Sequence, residues 1–241
     1  METPVHAPFR VKVRLEITKL RTMSFKEKAE YIWEYYKLLL VGIGVFFLII
    51  GSIINTVFIN PPAQTALLIE WSADFVMHEQ LESLADVLTE NLVDESVNEV
   101  VMASLFFEAA EDPQMHMAMI SRRMALIAAG ELDVFIQSAA QLEETAMMGV
   151  VMPLDNMLSD IEARYPSVFG TIGENLVYAQ YDTYETDGLY GQERVVGIDI
   201  GGSPLLRELG FHERELIFSV VSNSNRLGKA LSTLVLLFEG L

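Results

Sequence analysis

The stretch AAGELDVFIQSAAQLEETAMMGVVMPLD, residues 128–155, decides how the rest of the chain is read. It begins on the end of a helix closed by Gly130, a residue suited to the left-handed conformation that terminates helices. Residues 132–136 follow as a short apolar strand. Ser138 then precedes a new helix with Gln141 three residues on, the spacing of a capping box, and Gly149 closes it. Helix, strand and helix within 28 residues indicate a layered α/β unit.

The same alternation extends in both directions. Upstream, Asp112 and Pro113 open the helix that Gly130 ends, as cap and first residue. Residues 99–107 (EVVMASLFF) read as a strand, and residues 76–93 as a helix with Leu81, Leu84, Leu88 and Leu92 on one stripe. The apolar run at 65–71 is a buried strand. Downstream, a helix runs from 155 to about 165 and stops before Pro166. Strands at 176–181 and 194–200 flank the turn-rich residues 182–192. Ser203-Pro204 opens a short helix that Gly210 closes, a strand follows at 215–221, and the last helix covers 224–238. Strands alternating with helices predict an α/β domain with a largely parallel sheet over residues 60–241.

Ahead of this domain, residues 38–59 read LLLVGIGVFFLIIGSIINTVFI, 22 residues without a charge. As a helix they extend about 33 Å, enough for a hydrocarbon core of about 30 Å. The run has no polar face, so it does not suit a core helix. It also exceeds the apolar core of a signal peptide, roughly 7–15 residues. Ser24-Phe25-Lys26-Glu27 fits a second capping box, so the helix starts near Ser24 and covers 24–59, behind an arm at 1–23. Within the arm, Val11, Val13, Leu15 and Ile17 alternate with polar residues, as a strand would. Tyr31, Trp33, Tyr35 and Tyr36 stand where rings favour the headgroup layer.

Before Leu38 the chain carries eight Lys/Arg against five acids, net +3; after Ile59 it carries eight against 29, net −21. Basic residues stay on the cytoplasmic side. The expectation is a single-pass protein of a bacterial cell membrane, with a cytoplasmic N-terminus and an extracytoplasmic acidic domain held close to the bilayer by Pro61-Pro62. The acidity disfavours nucleic acid as a partner. No cysteine is present, so no disulfide staples the domain.

Catalytic and metal signatures are missing from the sequence. There is no GxSxG elbow, phosphate loop or cysteine nucleophile, and the four histidines, His6, His78, His116 and His212, lack paired metal spacing. Thr183, Glu185 and Asp187 precede Gly188 as in a calcium loop, but Arg194 stands where the closing Glu belongs. The expectation is therefore a domain without catalysis, cofactor or metal. Met115, Met117, Met119 and Met124 are expected to be adaptable core.

Three stretches resemble extracytoplasmic solute-binding proteins of the type 2 periplasmic-binding fold, in particular the sugar-binding branch. They are residues 128–155, residues 215–239 (ELIFSVVSNSNRLGKALSTLVLLFE), and Tyr190-Gly191 leading to 195–200. FKEKAEYIWEYYK followed by a span also resembles membrane proteins of Firmicutes-type bacteria. The resemblance implies a small, sugar-like ligand. One departure accompanies it: only residues 156–193 occupy the interval where that family places a second lobe, so the lobe is reduced or missing.

In open α/β sheets ligands sit beyond the carboxyl ends of strands. That singles out Trp71, Ser72 and Asp74, then Gln137 and Ser138, then Gly201, Gly202 and Ser203. Trp71 would stack on a sugar, Asp74 and Gln137 would bind hydroxyls, and Gly201-Gly202-Ser203 would hold an anion on free N–H groups. Against this stand plainer roles: Trp71 as core, Asp74 as a cap and the glycines as a tight turn. The expected activity is sensing or presenting a solute. The alternative is a degenerate binding fold serving as scaffold to a membrane-protein partner, which Ser52, Asn55 and Thr56 in the span would hydrogen-bond.

Overall fold

The computed structural model describes residues 17, 18, 21, 23–73, 75–94, 96–106, 113–181, 192–212 and 214–240. It divides into two units, the first ending at Pro62 and the second beginning at Ala63.

The first unit is dominated by helix α1, Phe25–Ile54. Its start is the expected capping box: Glu27 N donates to Ser24 Oγ at 3.4 Å and Ser24 N to Glu27 Oε2 at 2.8 Å. The helix continues without interruption into a π-helical turn, Asn55–Ile59, where Asn60 Nδ2 donates to Asn55 Oδ1. Trp33–Ile59 is long and apolar enough to cross a membrane, and none of its most apolar window is buried. The Tyr31 ring lies 4.7 Å from that of Tyr35 and 6.3 Å from that of Tyr36, an aromatic cluster in the first half of α1. Ile17 and Thr18 are helical, so the end of the arm departs from the expected strand; residues 1–16 lie outside the described residues.

The second unit runs β1 Gln64–Trp71, α2 His78–Leu92, β2 Glu99–Leu105, α3 Pro113–Ala128, β3 Val134–Gln137, α4 Ala139–Met147, α5 Asp155–Arg164, α6 Pro166–Glu174, β4 Leu176–Tyr181, β5 Gln192–Asp199, α7 Pro204–Glu208, β6 Ile217–Val220 and α8 Leu227–Glu239. The strands form one sheet in the order β2-β1-β3-β6-β5-β4. Only two of its five strand pairings are parallel. β1 pairs parallel with β2 and β3, whereas β6 is antiparallel to β3 and β5, and β4 is antiparallel to β5. The sheet is therefore mixed rather than largely parallel. A parallel return needs a crossover of a dozen or more residues, usually a full helix. α7, between β5 and β6, has five residues and spans only about 7.5 Å.

Both faces of the central strands are covered. Leu67, Ile69 and Trp71 of β1 and Val134 and Ile136 of β3 enter the larger core, under α2, α5, α6, α7 and α8. Leu68 and Phe135, one residue out of phase, enter the smaller core, with Leu142 and Ala146 of α4 and the half-buried Leu126 and Ile127 of α3. Residues 156–181 supply two helices and an edge strand of this same sheet, so no second lobe exists among the described residues. Pro166, expected to stop a helix, is the first residue of α6, a position where its missing N–H costs nothing.

Gly201 shows how closely the turn before α7 is packed. A Cβ on it would lie 1.8 Å from the Arg214 carbonyl oxygen, whereas one on Gly202 would meet nothing within 4 Å. Gly201→Ala is expected to lower stability by about 1–3 kcal/mol through forced backbone shifts, with Gly202→Ala near neutral. Urea midpoints of the two variants check this; equal midpoints would contradict it.

Candidate functional site

Several residues expected to touch ligand have structural roles. Trp71 is 2 % exposed, and its ring packs against Phe211 at 5.0 Å in the larger core. A ring with no free face offers no stacking platform, so the expected sugar contact is corrected to a core contact. Gln137 is fully enclosed; its Nε2 donates to Ser219 Oγ at 2.8 Å and Thr145 Oγ1 at 3.1 Å. Ser138 caps α4, accepting from Gln141 N, while Gln141 Oε1 accepts from Ser138 N and from Ser72 Oγ at 3.3 Å. The sheet edge thus brings Ser72 and Ser138 together around Gln141. Gly201, Gly202 and Ser203 are not part of that group. Ser203 Oγ caps α7 through Leu206 N and donates to the Leu237 carbonyl. Asp74 lies outside the described residues.

The methionine expectation is also corrected. Met115, Met117 and Met124 are exposed rather than core, and Met119 is half-buried. The reason is the phase of α3. His116, Met119, Ile120, Arg123, Leu126 and Ile127 are its half-buried positions, a stripe at helical spacing, and the other methionines fall off that stripe. No described residue of α3 is fully buried.

Between α3, α4 and the sheet lies a cleft of about 410 Å³, within the range of small-molecule sites. Its apolar wall includes Phe106, Ile120, Met124, Phe135, Met148 and Val150; His116, Arg123, Gln141, Glu144 and Thr145 supply polar groups. Arg123 is the best-held of these. Its guanidinium carbon lies 4.4 Å from the Phe106 ring centre and 4.7 Å from that of Phe135, within cation–π range. Its Nε stands 2.8 Å from Glu70 Oε1. Glu70 is 4 % exposed, on the β1 face opposite Trp71. Burial pushes its carboxyl above the usual range, against the opposing pull of Arg123 and then Arg122.

This polar group is incompletely satisfied. Among the described residues, Arg123 Nη2 and His116 Nδ1 are enclosed without a hydrogen-bond partner. Glu70 Oε1 also has no aligned hydrogen bond, so its contact with Arg123 is an ion pair of poor hydrogen-bond geometry. Buried polar groups are nearly always paired, so the two such atoms in the cleft lining, on Arg123 and His116, mark the site. Sequence reasoning missed it, although two signals were present: a carboxylate inside the apolar run TALLIEW, and a His and an Arg on the inward stripe of α3.

No protein-family model matches the sequence, and no curated protein matches it. Among solved structures the chain is similar to an extracellular solute-binding protein family 1 from Alicyclobacillus acidocaldarius subsp. acidocaldarius DSM 446. The TM-score is 0.29 at 14% identity, covering 58% of this chain and 28% of that one. The chain thus spans less than a third of that protein's length.

Proposed function

We propose that the chain is a membrane-tethered, extracytoplasmic solute-binding module without catalysis, its N-terminus cytoplasmic. The observation that carries this reading is the cleft between α3 and α4, with an arginine held between two rings and unpartnered polar atoms at its wall. The tether rests on the span and the orientation on the charge difference across it. The resemblance of residues 128–155 to solute-binding proteins agrees with the same reading.

The test is a thermal-shift screen of the full chain in nanodiscs against sugars, amino acids, peptides, carboxylates and divalent ions. Fluorescence of a Trp33→Phe chain, in which the buried Trp71 is the one tryptophan, reports unfolding. A ligand at 100 times its Kd is expected to add about 2.7 kcal/mol, a rise of several degrees. Cooperative melting with no shift from any compound would overturn the proposal.

A second reading, an interaction subunit of a membrane complex, draws on one observation: Met115, Met117 and Met147 are exposed, and they lie outside the cleft lining. Exposed methionines suit adaptable protein contacts. That reading expects no ligand shift and a stoichiometric partner in mild detergent.

A further inference from the structure

The cleft's chemistry narrows what enters it. Its wall is mainly apolar, and two of its polar residues, Gln141 and Thr145, are already engaged in the hydrogen bonds around Ser72, Gln137 and Ser138. A sugar would bring more hydroxyls than the remaining polar groups could serve. The unsatisfied atoms point to a different ligand. Arg123 Nη2 is a donor only, and His116 Nδ1 donates in one of its forms. Arg123 Nη2 therefore asks for an acceptor, and His116 Nδ1 joins it when it carries a proton.

The charges around the cleft agree. Glu70 contacts Arg123 through Nε, which leaves the Nη edge of the guanidinium fork, the edge suited to carboxylate geometry. Arg122 adds a second positive charge near Glu70. Glu144, the acid in the lining, is exposed, where solvent weakens its repulsion. A cation would instead meet the guanidinium. Nη2 is enclosed, so a ligand reaches it only when the half-buried side chains of α3 shift.

We infer that this cleft receives a small carboxylate with an apolar body, the carboxylate taken by Arg123 and His116 and the body by Ile120, Met124, Met148 and Val150, the lining residues that keep exposed apolar surface. The inference deepens the solute-binding reading and rests on it.

Three probes sharing one body test it: 4-phenylbutyrate, 4-phenyl-1-butanol and 4-phenylbutylamine, titrated by calorimetry into the full chain in nanodiscs, with empty nanodiscs subtracted. The carboxylate is expected to bind at least tenfold more tightly than the alcohol or the amine. Arg123→Met alone strands a buried carboxylate and puts folding at risk. Two other variants are therefore used: Glu70→Leu/Arg123→Met, which removes both charges, and Met148→Trp, which fills the cleft and leaves the ion pair. Each is expected to weaken the carboxylate tenfold or more while melting cooperatively.

Equal or tighter binding of the alcohol would overturn the carboxylate assignment and leave the binding module standing. So would failure of all three probes in a protein that a sugar, amino acid, peptide or ion stabilises. Undiminished carboxylate binding in both variants would place the site elsewhere and overturn the inference. Failure of every compound in both experiments would overturn the module reading as well.

Discussion

Asp133→Ala is expected to cost the globular unit about 3–5 kcal/mol, the range for removing one partner of a buried, hydrogen-bonded charge. Asp133 is fully enclosed at the entry to β3, where it joins three parts of the fold. Oδ2 accepts from Leu68 N at 2.8 Å and from Arg226 Nη1 at 3.0 Å. Oδ1 accepts from Ser224 Oγ at 2.6 Å. One carboxylate therefore fixes β1 beside β3 and holds the turn leading into α8. Alanine leaves the Leu68 N–H buried without its acceptor, a group that water cannot reach. Asp133→Asn keeps the shape but replaces one acceptor oxygen with a donor, and is expected to cost about 1.5–3 kcal/mol. Asp155→Ala supplies the contrast. The Arg194–Asp155 pair has an aspartate side chain 48% exposed, and losing such a surface pair is expected to cost no more than about 1 kcal/mol. Urea unfolding of the full chain in detergent, followed by Trp71 fluorescence in a Trp33→Phe background, separates these outcomes. An Asp133→Ala midpoint as close to wild type as that of Asp155→Ala would refute the latch.

Asp133 also shows which parts of the fold are legible in sequence. The caps are, because each is a local contact: Ser24 with Glu27, Ser138 with Gln141, and Gly130, Gly149 and Gly210 at positive φ. These set the positions of most elements to within a few residues. Strand pairing joins residues far apart in sequence, and it decided the antiparallel half of the sheet. Residues 176–181 and 194–200 read as strands, but nothing local says that β6 runs against β3. Trp71 failed for a related reason. In a strand buried on both faces every second residue is apolar whichever way it points, so Trp71 and Glu70 cannot be sorted by periodicity. The candidate site was half legible. Ser72 and Ser138 do meet at one sheet edge, but as supports of Gln141. Glu70 and Arg123 went unnoticed because each was read as part of its surroundings, an apolar run and a methionine-rich helix.

The Glu70–Arg123 pair gives the second large effect, and its sign depends on which partner is removed. Arg123→Met leaves Glu70, 5% exposed in its side chain, with only the weaker pull of Arg122. A loss of about 3–5 kcal/mol is expected near pH 7. Glu70→Leu is expected to cost less, because Arg123 retains the faces of Phe106 and Phe135 and borders the cleft. Removing both charges in Glu70→Leu/Arg123→Met puts apolar groups of similar size into an apolar setting, which is often neutral or stabilising. A non-additivity of at least about 2 kcal/mol is expected across the cycle. The pH dependence adds an independent check. Burial raises the Glu70 carboxyl above its usual 4.5, so the folded protein binds this proton more readily than the unfolded chain. The stability that Glu70 contributes is thus fully present below about 4.5 and lost as pH rises through the raised value. In Arg123→Met the largest opposing influence is gone, so the raise is greater. The penalty of that variant should be largest at pH 8 and shrink toward pH 5, while the double variant shows no such slope. Urea midpoints at the two pH values decide it, and an Arg123→Met deficit of equal size at both would show that the buried charge is not its cause. A double variant as stable as wild type would mean that the fold does not need this pair. The reason for a charged arginine at the wall of an apolar cleft would then lie in what the cleft binds.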